Sequence, residues 1–164
     1  MTSMQEGERV PKIILRDLED KSHNPLEAAK QTGFAVIAFL KSSCPVCQMT
    51  APYLERLKQL NPTLPLFAIS QDDKEETRTF QEENLLTFPL LLDTDLEITR
   101  DFELTNVPSL FVINGEDGRV EKNMIGFERD VLEYINNRCA SPTGTEKKVS
   151  LFTKSDQVPA YRPG

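Results

Sequence analysis

Tryptophan is absent from this 164-residue chain, and histidine occurs once, at His23. Three cysteines are present, Cys44, Cys47 and Cys139, too few for the disulfide framework of a small secreted scaffold. No run of apolar residues is long enough for a membrane span, so none is expected. The opening stretch, MTSMQEGERV, lacks the apolar core of a signal peptide. The sequence as it stands is therefore expected to be cytoplasmic, or periplasmic or otherwise exported if a leader is missing from it. Positive charge is in deficit, with 19 Lys and Arg against 26 Asp and Glu and a net charge of −7. No basic stretch interleaved with aromatics occurs, which argues against nucleic acid as a partner.

What remains is an ordinary globular composition, 38% hydrophobic and 27% charged, with a length suited to one domain. Residues 1–9 read as an N-terminal arm, 10–139 as the domain, and 140–164 as a tail, extended or disordered, because SPTGTEKK and VPAYRPG carry no periodic face. Only Val149 to Phe152 hints at a strand there.

The stretch Phe34 to Leu60 organises the rest. Phe34 to Leu40 is a short apolar run rich in strand formers. After Lys41, Ser42 and Ser43, a helix beginning near Cys44 or Pro45 carries Met49, Tyr53, Leu57 and Leu60 along one stripe. Pro45 suits the first helical turn, where its missing N–H costs nothing. Pro52, inside the same helix, removes one hydrogen bond and is expected to kink it.

Before this stretch, Val10 to Leu15 reads as an edge strand because Pro11 cannot donate to a ladder. Asn24-Pro25-Leu26-Glu27 starts a short helix that Gly33 ends. After it, Leu64 to Ser70 reads as a strand, Asp72 to Asn84 as an acidic helix, Leu85 to Leu92 as a short strand entered at Pro89, and Leu96 to Phe102 as a helix capped from Asp93 to Asp95. Ser109 to Ile113 and Arg119 to Ile125 form a hairpin turning at Asn114 to Gly118. Gly126 breaks it before a closing helix, Arg129 to Arg138. Alternating β and α elements followed by a hairpin and a helix predict a layered α/β fold.

The chemistry concentrates at Cys44-Pro45-Val46-Cys47. Residues i and i+3 of a helix share a face with Cα atoms about 5 Å apart, a separation a disulfide can bridge. A helix N-terminus favours a thiolate through its unpaired N–H groups and dipole. Cys44, at or before the first turn, is the more exposed thiol and the expected nucleophile. Cys47, one turn deeper, is the expected resolving thiol. The competing reading, half of a zinc site, needs two more ligands, and only Cys139 and His23 are on offer. His23 reads as a surface residue before a helix cap, Lys41 as a solvated flank, and Cys139 as a half-buried packing residue. No metal or organic cofactor is called for beyond the redox-active pair itself.

With these residues in place, the chain resembles the thioredoxin-like superfamily, and within it the TlpA/ResA-type thiol–disulfide oxidoreductases, an AhpC/TSA-related group. The likeness rests on Cys44-Pro45-Val46-Cys47 after a buried strand, Pro52 eight residues beyond Cys44, Val107-Pro108 before a strand, and Gly126 before the last helix. It implies a central mixed β-sheet flanked by helices, with an α/β insert, Asp72 to Phe102, between the C-x-x-C half and the cis-proline half. It further implies that Val107 and Pro108 receive an extended substrate segment beside Cys44, with Pro45, Val46 and Pro52 supporting the motif. A protein disulfide or dithiol is the implied substrate and an upstream thiol the reductant; a monomer is expected.

Three positions depart from the family pattern. Ser43 stands where thioredoxin has Trp, Ala38 where it has a buried acid, and Thr50 where some ResA-type proteins have Glu. Neither familiar proton acceptor for Cys47 is present. Two alternatives follow: a peroxiredoxin-like peroxidase using Cys47, suggested by Pro45-Val46-Cys47, and a non-catalytic thioredoxin-fold binding module.

Overall fold

The computed structural model describes residues 3–140 and 149–164. The chain enters through an extended arm that bridges Arg9 to Arg119 and then Asp17 to Leu91. A short hairpin follows, β1 (Leu15–Arg16) paired antiparallel with β2 (Ser22–His23). Helix α1 (Pro25–Thr32) starts where Asn24 caps it through the Glu27 N–H, and ends at Gly33, whose φ of 104° suits glycine.

β3 (Phe34–Leu40) has no polar face and must be covered on both sides; all seven residues are buried. Helix α2 (Pro45–Leu60) follows, then β4 (Leu66–Ser70), α3 (Lys74–Asn84), β5 (Leu90–Leu92) and α4 (Glu97–Asp101). The hairpin β6 (Ser109–Asn114) and β7 (Val120–Ile125) comes next, then β8 (Phe127–Glu128), α5 (Arg129–Ala140) and β9 (Tyr161–Arg162). The main sheet runs β5-β4-β3-β6-β7, parallel across β5-β4-β3 and antiparallel from β3 onward. This is a mixed sheet flanked by helices, with α3, β5 and α4 as the insert.

The pleat of β3 divides the core. Phe34, Val36, Ala38 and Leu40 pack with Cys47, Ala51 and Leu54 of α2 and with Leu132 and Ile135 of α5. Ala35, Ile37 and Phe39 pack on the other face with Ala29, Ile98 and Phe102.

Three expectations change. Val10 to Leu15 is not an edge strand: the bridges that flank it join Arg9 to Arg119, just before β7, and Asp17 to Leu91 of β5, at opposite edges of the sheet, so the arm between them crosses a face and buries Ile13. The buried residues of α2 are Val46, Cys47, Thr50, Ala51, Leu54 and Leu57, while Met49 and Tyr53 are half-buried and Leu60 is exposed. Leu57 is buried as expected, but the first half of the buried face is built from the smaller Cys47, Thr50 and Ala51, with Leu54 and Leu57 filling the second half. Val149 to Phe152 forms no strand, yet Leu151 and Phe152 are buried core residues. Phe152 packs on Tyr53 and Phe127 with ring centroids 4.9 and 6.0 Å apart. The expected tail residues before position 149, from 141 on, lie outside the described residues.

Candidate active site

The carboxyl ends of β3 and β4 lie side by side, with Leu40 opposite Ser70. The turn leaving β3 is thereby brought next to the turn leaving β4, and the Ser42 N–H donates to Asp72 Oδ2 at 2.7 Å. The Cys44 N–H closes the turn on the Lys41 carbonyl at 3.1 Å. Pro45 then begins α2, and Cys44, in an extended conformation (φ −88°, ψ 115°), becomes its N-cap. The oxygen that usually caps a helix is replaced by sulfur: Cys44 Sγ accepts from the Cys47 N–H at 3.2 Å. α2 runs on unbroken across the exposed Pro52.

Opposite Cys44 lies the loop entering β6. The Val107-Pro108 peptide is cis, and the Cys44 thiol donates to the Val107 carbonyl oxygen at 3.4 Å. Ser109 Oγ holds the loop by donating to the Asn106 carbonyl at 2.7 Å, and the Gly126 N–H donates to the Pro108 carbonyl at 2.8 Å. A shallow depression of about 280 Å³, bounded by Lys41, Gln71, Leu104, Thr105, Asn106 and Val107, flanks it.

The two thiols differ sharply. Cys44 is half-buried, whereas Cys47 has no exposed surface. Burial pushes the Cys47 thiol far above its ordinary range, and its hydrogen bond with Cys44 and the negative charges of Cys44 and Asp72 push the same way. A backbone hydrogen bond from Lys41 opposes them. Thr50 offers no proton acceptor, because an alcohol is too weak a base to take a thiol proton and its hydroxyl is bound to the Val46 carbonyl at 2.6 Å, and Ala38 has no polar side-chain atom.

The structure thus brings together Cys44, Cys47, Val107 and Pro108, with Pro45 and Val46 in the first turn of α2. It places Lys41 in solvent and Cys139 half-buried against the core. His23 is not a surface residue: only 15% of its side chain is exposed, its Nε2 lies 2.7 Å from Asp17 Oδ2, and its ring meets the edge of Phe67. Asp72 was missed in the sequence. The signal was indirect: two parallel strands end together, so polar residues just beyond each C-terminal end meet.

A mixed sheet with a C-x-x-C pair at a helix N-terminus, faced by a cis-proline loop, defines a thioredoxin-like protein. The chain belongs to the AhpC/TSA family, whose model matches residues 7–122. It is 28% identical over 97 residues to sporulation thiol-disulfide oxidoreductase A of Bacillus subtilis, covering 56% of this chain and 58% of that protein. It is 28% identical over 127 residues to the thiol-disulfide oxidoreductase ResA of Bacillus cereus, covering 75% of this chain and 71% of the relative. The crystal structure of StoA from Bacillus subtilis superposes with a TM-score of 0.61 at 21% identity, over 71% of this chain and 89% of StoA. Among the described residues, no helix is long and apolar enough to cross a membrane.

Proposed function

We propose that this chain is a thiol–disulfide oxidoreductase acting on protein disulfides, with Cys44 as nucleophile and Cys47 as resolving thiol. The observation that carries the reading is the difference between the thiols: Cys44, half-buried, faces the Val107 carbonyl, while Cys47 lies beneath it without exposed surface.

The Cys44 thiolate attacks one sulfur of a substrate disulfide, the substrate S–S bond breaks, and the leaving sulfur departs as a thiol after taking up a proton. This leaves a mixed disulfide between Cys44 and the substrate. The Cys47 N–H donates to the Cys44 sulfur, a hydrogen bond that strengthens as that sulfur carries charge. Cys47 then loses its proton and attacks Cys44 Sγ, expelling the second substrate thiol and forming the Cys44–Cys47 disulfide. Two electrons have passed to the substrate, and an upstream dithiol restores the pair. Val107 and Pro108 hold the substrate backbone beside Cys44, with Pro45, Val46 and Pro52 shaping the helix that presents the thiols.

The chain works as a monomer and needs no cofactor beyond this pair. An exported compartment suits it, in keeping with a structural neighbour described as a secreted Mycobacterium tuberculosis disulfide oxidoreductase, which is 23% identical with a TM-score of 0.63. A peroxidase reading needs Cys47 to meet peroxide, which its burial opposes. The test is insulin reduction by dithiothreitol: the wild type accelerates it, and Cys44→Ser lowers the catalysed rate about a hundredfold or more. An unchanged rate in Cys44→Ser refutes the assignment.

A further inference from the structure

Residues 149–164 do not drift off the domain; they cross it and finish at the candidate active site. The segment is pinned at its start. Leu151 and Phe152 are buried, the Leu151 N–H donates to Glu133 at 2.7 Å, and Arg56 holds Asp156 through two bonds of 2.7 and 3.1 Å. Beyond Val158 every residue is exposed, and the segment is held largely through its backbone. The Arg129 N–H donates to the Ala160 carbonyl at 2.9 Å, and β9 adds antiparallel to β8, Arg162 opposite Phe127 and Tyr161 opposite Glu128.

Two glycines permit the final approach. A Cβ on Gly126, whose φ is 85°, would sit 2.6 Å from the Arg162 carbonyl oxygen. A Cβ on Gly164 would sit 2.1 Å from the Val107 carbonyl oxygen and 2.7 Å from its carbon. Gly164 therefore lies directly against the carbonyl that also accepts from the Cys44 thiol, and its own carbonyl is 3.5 Å from Asn106 Nδ2.

We propose that residues 160–164 occupy the groove in which the substrate's extended segment docks, so the chain carries its own competitor for the Val107 face. The inference rests on the functional reading above, in which a substrate backbone lies beside Val107. It also describes the groove's preferred occupant: an extended strand that adds to β8 and sets a residue without a side chain against the Val107 carbonyl. Displacement needs no rearrangement of the core, because the buried Leu151 and Phe152 and the ion-paired Asp156 lie upstream of the part that must lift. A substrate pays for that lifting in apparent affinity, in proportion to the fraction of molecules whose groove is already open.

The experiment uses the full chain and Gly164→Val. The new side chain collides with the Val107 backbone, 2.1 Å from its carbonyl oxygen already at Cβ, and forces the end of the segment away, while the upstream anchors at Leu151 and Phe152 are unchanged. The second-order rate constant of reduced protein with insulin is expected to rise about threefold or more. A rate equal to or below wild type overturns the inference. A second readout is the amide NMR spectrum of Cys47→Ser trapped as a mixed disulfide with a peptide: Arg162 and Gly164 are expected to shift to positions typical of unstructured chain. If they stay where they are in the free protein, the segment and the substrate do not share the groove. Were the wild type to show no exchange with insulin at all, the functional reading would fail with it. Exchange that runs through Cys44 but is indifferent to Gly164→Val removes only the competitor.

Discussion

The Cys44 thiol donates to the Val107 carbonyl oxygen at 3.4 Å across 63 positions of sequence. That contact joins the two halves of the molecule that carry chemistry, the turn after β3 and the loop before β6. It also fixes which thiol a substrate lying along Val107 would meet, since Cys47 is turned into the core behind Cys44.

Hydrogen peroxide should be a poor substrate. The thiol that a peroxidase would use is Cys47, which has no exposed surface. Peroxide consumption with excess dithiothreitol is expected to match the uncatalysed background; turnover abolished by Cys47→Ser but retained in Cys44→Ser would reverse the assignment.

The reduced protein should lose stability in alkali. The folded-state pKa of Cys47 is raised far above its unfolded value of about 8.5. The folded state therefore binds more protons than the unfolded state above that pH, and stability falls as pH rises. The contribution is fully present below the unfolded pKa. Denaturant midpoints of the dithiol form are expected to drop from about pH 8.5 upward. Cys47→Ala should show a flatter alkaline limb; an identical limb would mean other groups cause it.

Asp72→Asn should ease the ionisation of Cys47. The carboxylate is one of the charges that push this thiol up, and an amide oxygen can still accept from the Ser42 N–H. The expected result is a lower pH midpoint for the ultraviolet thiolate absorbance of Cys47 in a Cys44→Ser background, with an unchanged denaturation midpoint at neutral pH. An unmoved titration would show that the Asp72 charge does not act on Cys47.

Phe152→Ala should destabilise the domain by about 3 kcal/mol, the usual cost of emptying a buried aromatic site. Phe152 packs with Tyr53 and Phe127 and has the Arg129 guanidinium over its ring at 4.7 Å. Urea titration measures this; a change under about 0.5 kcal/mol, typical of a surface position, would contradict its place in the core.

The last two cases mark where reading the sequence alone runs out. Cys44, Cys47, Val107 and Pro108 were legible because each belongs to a motif of fixed local spacing. β3 was legible because an unbroken apolar run must be covered on both faces. Asp72 was not, since its partner Ser42 is 30 positions away and only strand register brings them together. Leu151 and Phe152 were not, because two apolar residues in a polar stretch carry no period; their burial depends on the Tyr53 and Phe127 rings already being there. The arm at Val10 misled for a related reason: its apolar residues serve the core, but its backbone crosses a sheet face instead of extending an edge.

The most direct test of the central claim is to mix reduced Cys47→Ser protein with insulin under non-reducing conditions and map the adduct by peptide mass analysis. One mixed disulfide is expected, on Cys44, and dithiothreitol should release it. An adduct on Cys139, or no adduct at all, would contradict it.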